Sequence, residues 1–212
     1  MNSKPARKTP SNATSKSGKD IGPTQRAISV LGAPGVGKSS LIHRFISSDF
    51  SESYNPTIIE TFEKTLSVKG IKYALEVYDT RGLGEHSTVD RKPLETVHGW
   101  VLVYAINDSK SFERMHSIRD KILSFKGFDS VPLVLVGNKT DLEEKQREVS
   151  KEDGQKLAKE WNCAWTESSA KDDTNVDHIF KLMVTEVEKE MNPPRKSDIS
   201  LHAWINREPN ST

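Results

Sequence analysis

Apolar residues follow two rhythms along this chain, near-continuous short runs and recurrences every three or four positions. The runs Ala27-Ile28-Ser29-Val30-Leu31, Trp100-Val101-Leu102-Val103-Tyr104-Ala105-Ile106 and Val131-Pro132-Leu133-Val134-Leu135-Val136 read as buried strands. Parallel strands covered on both faces have this appearance. Leu41, Ile42, Phe45 and Ile46, and later Ile179, Phe180, Met183, Val184 and Val187, return at helical spacing, so each set lays one apolar face on a core. The pattern also predicts helices over 111–125, 150–161 and 176–191, and strands over 61–68, 71–78 and 163–166. Lys69-Gly70 alone separates the strands 61–68 and 71–78, which suits a tight hairpin. Residues 25–191 thus read as one α/β domain. The flanks 1–24 and 192–212 are rich in Ser, Pro, Asn and charge and carry too few large apolar side chains to pack a core, Trp204 being the exception.

Candidate chemistry gathers where predicted strands end. Gly32-Ala33-Pro34-Gly35-Val36-Gly37-Lys38-Ser39 fits the pattern G-x-x-x-x-G-K-[ST], a phosphate-cradling loop between a strand and a helix. Glycine is needed there because backbone N–H groups must turn toward phosphate oxygens at close range, and a side chain would block them. Lys38 supplies a compact cation and Ser39 a hydroxyl for a Mg²⁺ ion that rides with the phosphates, while the positive end of the following helix adds to the attraction. An ordinary Gly-rich turn in a βα connection is the plain alternative.

Three further segments take up the same theme. The polar segment 50–58 reads as a surface loop, in which Thr57 could give a second hydroxyl to Mg²⁺ and its N–H a bond to the last phosphate; a plain connecting loop is an equal reading. Asp79-Thr80-Arg81-Gly82 follows a predicted strand, placing a carboxylate for Mg²⁺ through water and a Gly82 N–H for the terminal phosphate. Gly137-Asn138-Lys139-Thr140-Asp141 follows another. There Asp141 can accept hydrogen bonds from guanine N1–H and its exocyclic amine, a pattern adenine does not offer, with Asn138 bracing the loop and the Lys139 stem lying on the ring face.

Composition narrows the setting. A net charge of +1 and a pI near 7.8 give no case for nucleic acid. The single cysteine, Cys163, rules out a disulfide framework, fits a reducing compartment and reads as strand filler. No apolar run approaches the ~18–20 residues that span a bilayer. Asn2 after Met1 excludes myristoylation and no cysteine near Thr212 offers a prenylation or palmitoylation site, so no lipid anchor is expected. The expectation is a cytoplasmic protein, with peripheral membrane contact through Lys4, Arg7, Lys8, Lys16 and Lys19 or through a partner, and with nuclear entry left open; a solvated leader is the plainer reading of that basic stretch.

Taken together, the phosphate loop, Tyr54-Asn55-Pro56-Thr57-Ile58, Asp79-Thr80-Arg81-Gly82, Asn138-Lys139-Thr140-Asp141 and Ser168-Ser169-Ala170-Lys171 resemble in order and spacing the small GTPases of the Ras family. The resemblance covers residues 25–191. Ser67-Val68-Lys69-Gly70, Leu102-Val103-Tyr104 and Glu160-Trp161-Asn162 through Glu167-Ser168-Ser169-Ala170-Lys171 look most like its Rheb branch. It implies a Ras-like phosphate-loop domain, a mostly parallel six-stranded sheet with helices on both faces, that binds GTP or GDP with Mg²⁺. By this resemblance Gly32, Pro34 and Gly35 through Ser40 (Gly35, Val36, Gly37, Lys38, Ser39 and Ser40) line the phosphates, and Lys38 reaches β and γ. Ser39 and Thr57 ligate Mg²⁺, with Asp79 behind a water. Phe50 packs edge-on against the base, Asn138, Lys139 and Asp141 read guanine, and Ala170, flanked by Ser169 and Lys171, offers its N–H to guanine O6. Tyr54, Pro56, Thr57 and Gly82 complete the nucleotide contacts. Tyr54, Asn55, Pro56, Thr57, Ile58, Ile59 and Glu60 form the region where effector proteins dock, and an exchange factor and a monomeric state are also implied.

The chain departs from the family where hydrolysis is concerned. Efficient members carry D-x-x-G-Q, whose glutamine orients the attacking water, but this chain reads Asp79-Thr80-Arg81-Gly82-Leu83 and has no glutamine between Gln25 and Gln146. Leucine neither donates nor accepts a hydrogen bond. Pro34 would crowd an arginine delivered by a partner, a device worth roughly 10³–10⁵ in rate where it works. The expectation is a guanine-nucleotide switch and small GTPase with slow hydrolysis, its catalytic candidates being Lys38, Thr57, Gly82 and, acting in cis, Arg81. The alternatives are a GTP-locked effector-binding module and an ATP-using phosphate-loop protein.

Overall fold

A computed structural model of the chain describes residues 22–48, 50, 59–81 and 95–193. Six strands form one sheet: β1 (Thr24–Gly32), β2 (Ile59–Val68), β3 (Ile71–Thr80), β4 (Gly99–Ala105), β5 (Leu133–Asn138) and β6 (Ala164–Ser168). Four α-helices accompany them, α1 (Lys38–Ser47), α2 (Ser109–Lys126), α3 (Lys151–Glu160) and α4 (Val176–Met191), with a short 3₁₀ turn at Glu144–Gln146. The strand order is β2-β3-β1-β4-β5-β6. Only the β2–β3 pair is antiparallel; the other pairs run parallel, as the apolar runs of β4 and β5 anticipate. The two-residue link between β2 and β3 forms the expected turn, with Lys69 at φ 50° and Gly70 at φ 81°, the left-handed pair that matches strand twist.

Helices cover both faces and give two cores. Beneath α1 and α4 lie Ile28, Val30, Leu75, Val77, Val101 and Val103, and Phe45 of α1 stacks on Phe180 of α4 with ring centroids 3.8 Å apart. Beneath α2 and α3 lie Leu31, Leu102, Tyr104 and Leu135, joined by Met115 of α2 and the indoles of Trp100 and Trp161, and Trp165 packs on the same group and donates from Nε1 to Tyr104 Oη at 3.2 Å. No described helix is long and apolar enough to cross a membrane.

The ends of several elements differ from the apolar pattern for identifiable reasons. β1 begins at Thr24, because parallel pairing from Thr24↔Tyr73 holds its polar first residues in the ladder. Helix α2 starts two residues early: the Asp108 side chain accepts from the Ser111 N–H at 3.1 Å and sets the N-terminus, while Gly127 at φ 69° ends the helix. Ser150 caps α3 from outside by accepting the Asp153 N–H at 3.1 Å. β3 extends through Asp79 and Thr80, β5 runs to Asn138, and β6 to Ser168. Cys163 is not strand filler, since it stands in the turn before β6 with its N–H bonded to the Ala158 carbonyl at 2.9 Å; partial burial pushes its thiol up to about 11.

Candidate nucleotide site

The parallel strands deliver Gly32, Thr80, Ala105, Asn138 and Ser168 to one edge of the sheet, and the segments beyond those ends build the site. Ligands of open α/β sheets bind at this edge, beside the strand where the chain's progress reverses direction. β1 holds that place, with β3 on one side and β4 on the other.

The phosphate loop leaves β1 at Gly32 and enters α1 at Lys38. Gly35 (φ 76°) and Gly37 (φ 95°) both hold left-handed conformations that side chains resist. Gly37 has a second constraint: a Cβ there would run into Asn138 Nδ2. No side chain caps α1 at Gly37, so the positive end of the helix opens onto the loop. Pro34 and Gly35 are exposed, Val36 is buried, and Ser39 and Ser40 are half-buried.

Lys38 is 6% exposed and donates from Nζ to the Ala33 carbonyl at 2.9 Å. Burial pulls its pKa down to about 8, against the opposing charge of Asp79. Asp79 is itself buried, beside Val30 in the β1–β3 register, and the neighbouring Thr80 hydroxyl donates to the Val30 carbonyl at 2.7 Å. A helix N-terminus without a side-chain cap, left-handed glycines, a desolvated ammonium and hard oxygen donors from Ser39 and Asp79 make a donor set that fits polyphosphate with Mg²⁺.

The fold lowers the affinity of Lys38 for its proton, so the charged form costs stability below pH 8, and that cost is relieved as pH rises from about 8 toward 10.5. An arriving phosphate reverses the preference. Above pH 8, binding of a nucleoside diphosphate should therefore be accompanied by proton uptake. Calorimetry in two buffers of different ionisation enthalpy checks this, and Lys38→Arg should abolish the uptake.

At the other end, Asn138 is 1% exposed and spans the site's two halves. Its Nδ2 donates to the Val36 carbonyl of the phosphate loop at 2.9 Å, and its Oδ1 accepts from Ser168 Oγ at 3.2 Å. Lys139 follows at φ 76°, and the Thr140 N–H bonds to the Ser168 carbonyl at 3.1 Å. Asp141 Oδ1 accepts from Ser169 Oγ at 2.7 Å, while the same Oγ accepts the Asp172 N–H at 3.0 Å, which orients the hydroxyl proton toward Asp141. Ser169 and Ala170 are buried and Lys171 is exposed.

Phe50 is half-buried against the first core, with the Arg44 guanidinium 5.6 Å from its ring centroid. Arg81 is exposed immediately beyond β3, and Glu60 is exposed opposite Asp79 in the β2–β3 register, next to Ile59 at the start of β2. Tyr54, Asn55, Pro56, Thr57, Ile58, Gly82 and Leu83 lie outside the described residues. Arg44 is the residue that the sequence did not disclose. It reads there only as a polar position on α1, yet it bonds to carbonyls 126 and 127 positions downstream.

The Ras family model matches residues 27–189. The chain belongs to the Ras family. The Rheb-branch resemblance holds as well. The GTP-binding protein rhb1 of Schizosaccharomyces pombe is 47% identical over 173 residues, covering 82% of this chain and 93% of the relative. The small monomeric GTPase RhbA of Aspergillus fumigatus is 46% identical over 171 residues, 81% of this chain and 91% of the relative. The GTP-binding protein Rheb of Homo sapiens is 41% identical over 164 residues, 77% and 89% of the two chains.

Proposed function

We propose that this Ras-family chain is a guanine-nucleotide switch that binds GTP or GDP with Mg²⁺ and hydrolyses GTP slowly. The observation that carries the reading is the buried Asn138 bridge, which joins the phosphate loop to the segment bearing Asp141. A phosphate-loop protein indifferent to the base has no need of that tie. Lys38 and the first-turn amides of α1 hold the phosphates, Ser39 and Thr57 with Asp79 hold Mg²⁺, and Asp141 with the Ala170 N–H selects guanine. Mg²⁺, when bound there, would neutralise charge on the polyphosphate. The segment 54–60 is the surface for effector proteins, and an exchange factor would act on the same switch. Competition of GTP and ATP for the protein tests the base preference; equal affinities would reject it in favour of the ATP-using alternative.

Slow hydrolysis follows from Leu83, which gives the attacking water no hydrogen bond. In single-turnover measurements, Leu83→Gln should raise phosphate release by roughly tenfold, the worth of one positioning contact of ~1.4 kcal/mol. Rapid release by the parent protein would overturn the proposal. Arg81 offers a local compensation, a cation acting in cis on the developing charge, and Arg81→Ala slowing the parent further would assign it that role.

A further inference from the structure

Arg44 sits in the last turn of α1 and uses three different nitrogens on three different carbonyls. Nε donates to the Ala170 carbonyl at 2.9 Å, Nη2 to the Lys171 carbonyl at 2.9 Å, and Nη1 to the Ser48 carbonyl at 2.7 Å. The first two belong to the segment assigned to guanine O6, and the third to the left-handed residue (φ 62°) that ends α1. Its charge also faces the ring of Phe50. One planar side chain therefore ties the last turn of α1 and the exit from that helix to two consecutive peptides of the purine segment.

The chemistry of the group suits this task. Guanidinium donors lie in one plane in a rigid fork, so two neighbouring carbonyls can be held together, and charge-assisted bonds are about twice as strong as neutral ones. With the carbonyls of Ala170 and Lys171 anchored, the backbone of Ala170 is restrained on its C-terminal side and its N–H keeps one direction. The negative ends of these carbonyl dipoles are also turned onto the arginine.

We propose that Arg44 is a positioning residue for the purine end of the site and sets how long the nucleotide stays bound. The inference rests on the guanine-nucleotide reading above. It does not touch the metal end, so its effect is independent of Mg²⁺.

The test is the dissociation of mant-GDP from the full-length protein, with Mg²⁺ present and again with excess EDTA. Arg44→Ala should accelerate release by roughly tenfold, from the loss of charged hydrogen bonds to the Ala170–Lys171 segment. The same ratio of rates should appear in EDTA, although both proteins release faster there. Arg44→Lys, which keeps the charge but has no fork, should recover only part of the loss, and it serves as the readout if the alanine variant does not fold. The Ala170 amide resonance should shift less on GDP addition in Arg44→Ala than in the parent. An unchanged release rate overturns the inference, and so does an acceleration that vanishes in EDTA. A parent protein that retains no mant-GDP overturns the guanine-nucleotide reading itself, and is thereby distinguished from failure of the arginine's role alone.

Discussion

Asp141→Asn is expected to lower affinity for GDP by roughly 10⁴-fold, the discrimination typical of a site built to pair a substrate's polar groups. Guanine presents two donors, N1–H and the exocyclic amine, and a carboxylate answers both. Asparagine keeps one acceptor and turns an NH₂ toward the second donor, so two hydrogens face each other. Xanthine carries an oxygen where guanine has its amine, and it should gain what GDP loses. Ser169 makes this a clean substitution, because its hydroxyl donates to Asp141 Oδ1 and can donate equally to an amide oxygen. Displacement titrations with GDP and XDP decide the matter; a variant that still prefers GDP would remove Asp141 from base recognition.

Asn138→Ala should be nearly as severe by a different route. Asn138 is buried, and its loss leaves the Val36 carbonyl and the Ser168 hydroxyl without the partners they have now. Each orphaned group costs about 1–3 kcal/mol, and the cavity left behind adds to that. Denaturant unfolding of the nucleotide-free protein should therefore show a loss of roughly 2–5 kcal/mol. GDP affinity should fall as well, because the phosphate loop is no longer held in register with the segment that carries Asp141. Asn138→Asp separates shape from hydrogen bonding: it preserves the volume but aims a carboxylate at a carbonyl, and should be no better than alanine. Unaltered stability in both variants would show that the bridge contributes nothing.

Much of this architecture is legible in the residues. β4 and β5 are so uniformly apolar that they had to be buried on both faces, and Lys69-Gly70 offered the hairpin the one link able to take two left-handed residues. The phosphate loop announces itself because its demands are local: glycines, a lysine and a hydroxyl within eight positions. Element ends were less legible, since Asp108, Ser150 and the polar start of β1 are fixed by caps and ladder partners that leave no apolar signature. Arg44 was not legible at all. Its partners are carbonyls, which every residue possesses, brought to it by the packing of α1 beside the β6–α4 connection. Asn138 lies between these extremes, for its role as a brace could be read from its motif, whereas its partner in the phosphate loop required the fold.

The chain has four tryptophans, and the three within the described residues, Trp100, Trp161 and Trp165, all belong to the core under α2 and α3. Trp161 has His116 edge-on at 5.2 Å and the Arg119 guanidinium 5.2 Å from its ring, and Trp100 has the Lys126 ammonium at 5.3 Å. Their emission is thus a reporter of one half of the molecule. The part of a fluorescence melt carried by these three will follow the loosening of that half and give little trace of events around Phe45 and Phe180 on the opposite side.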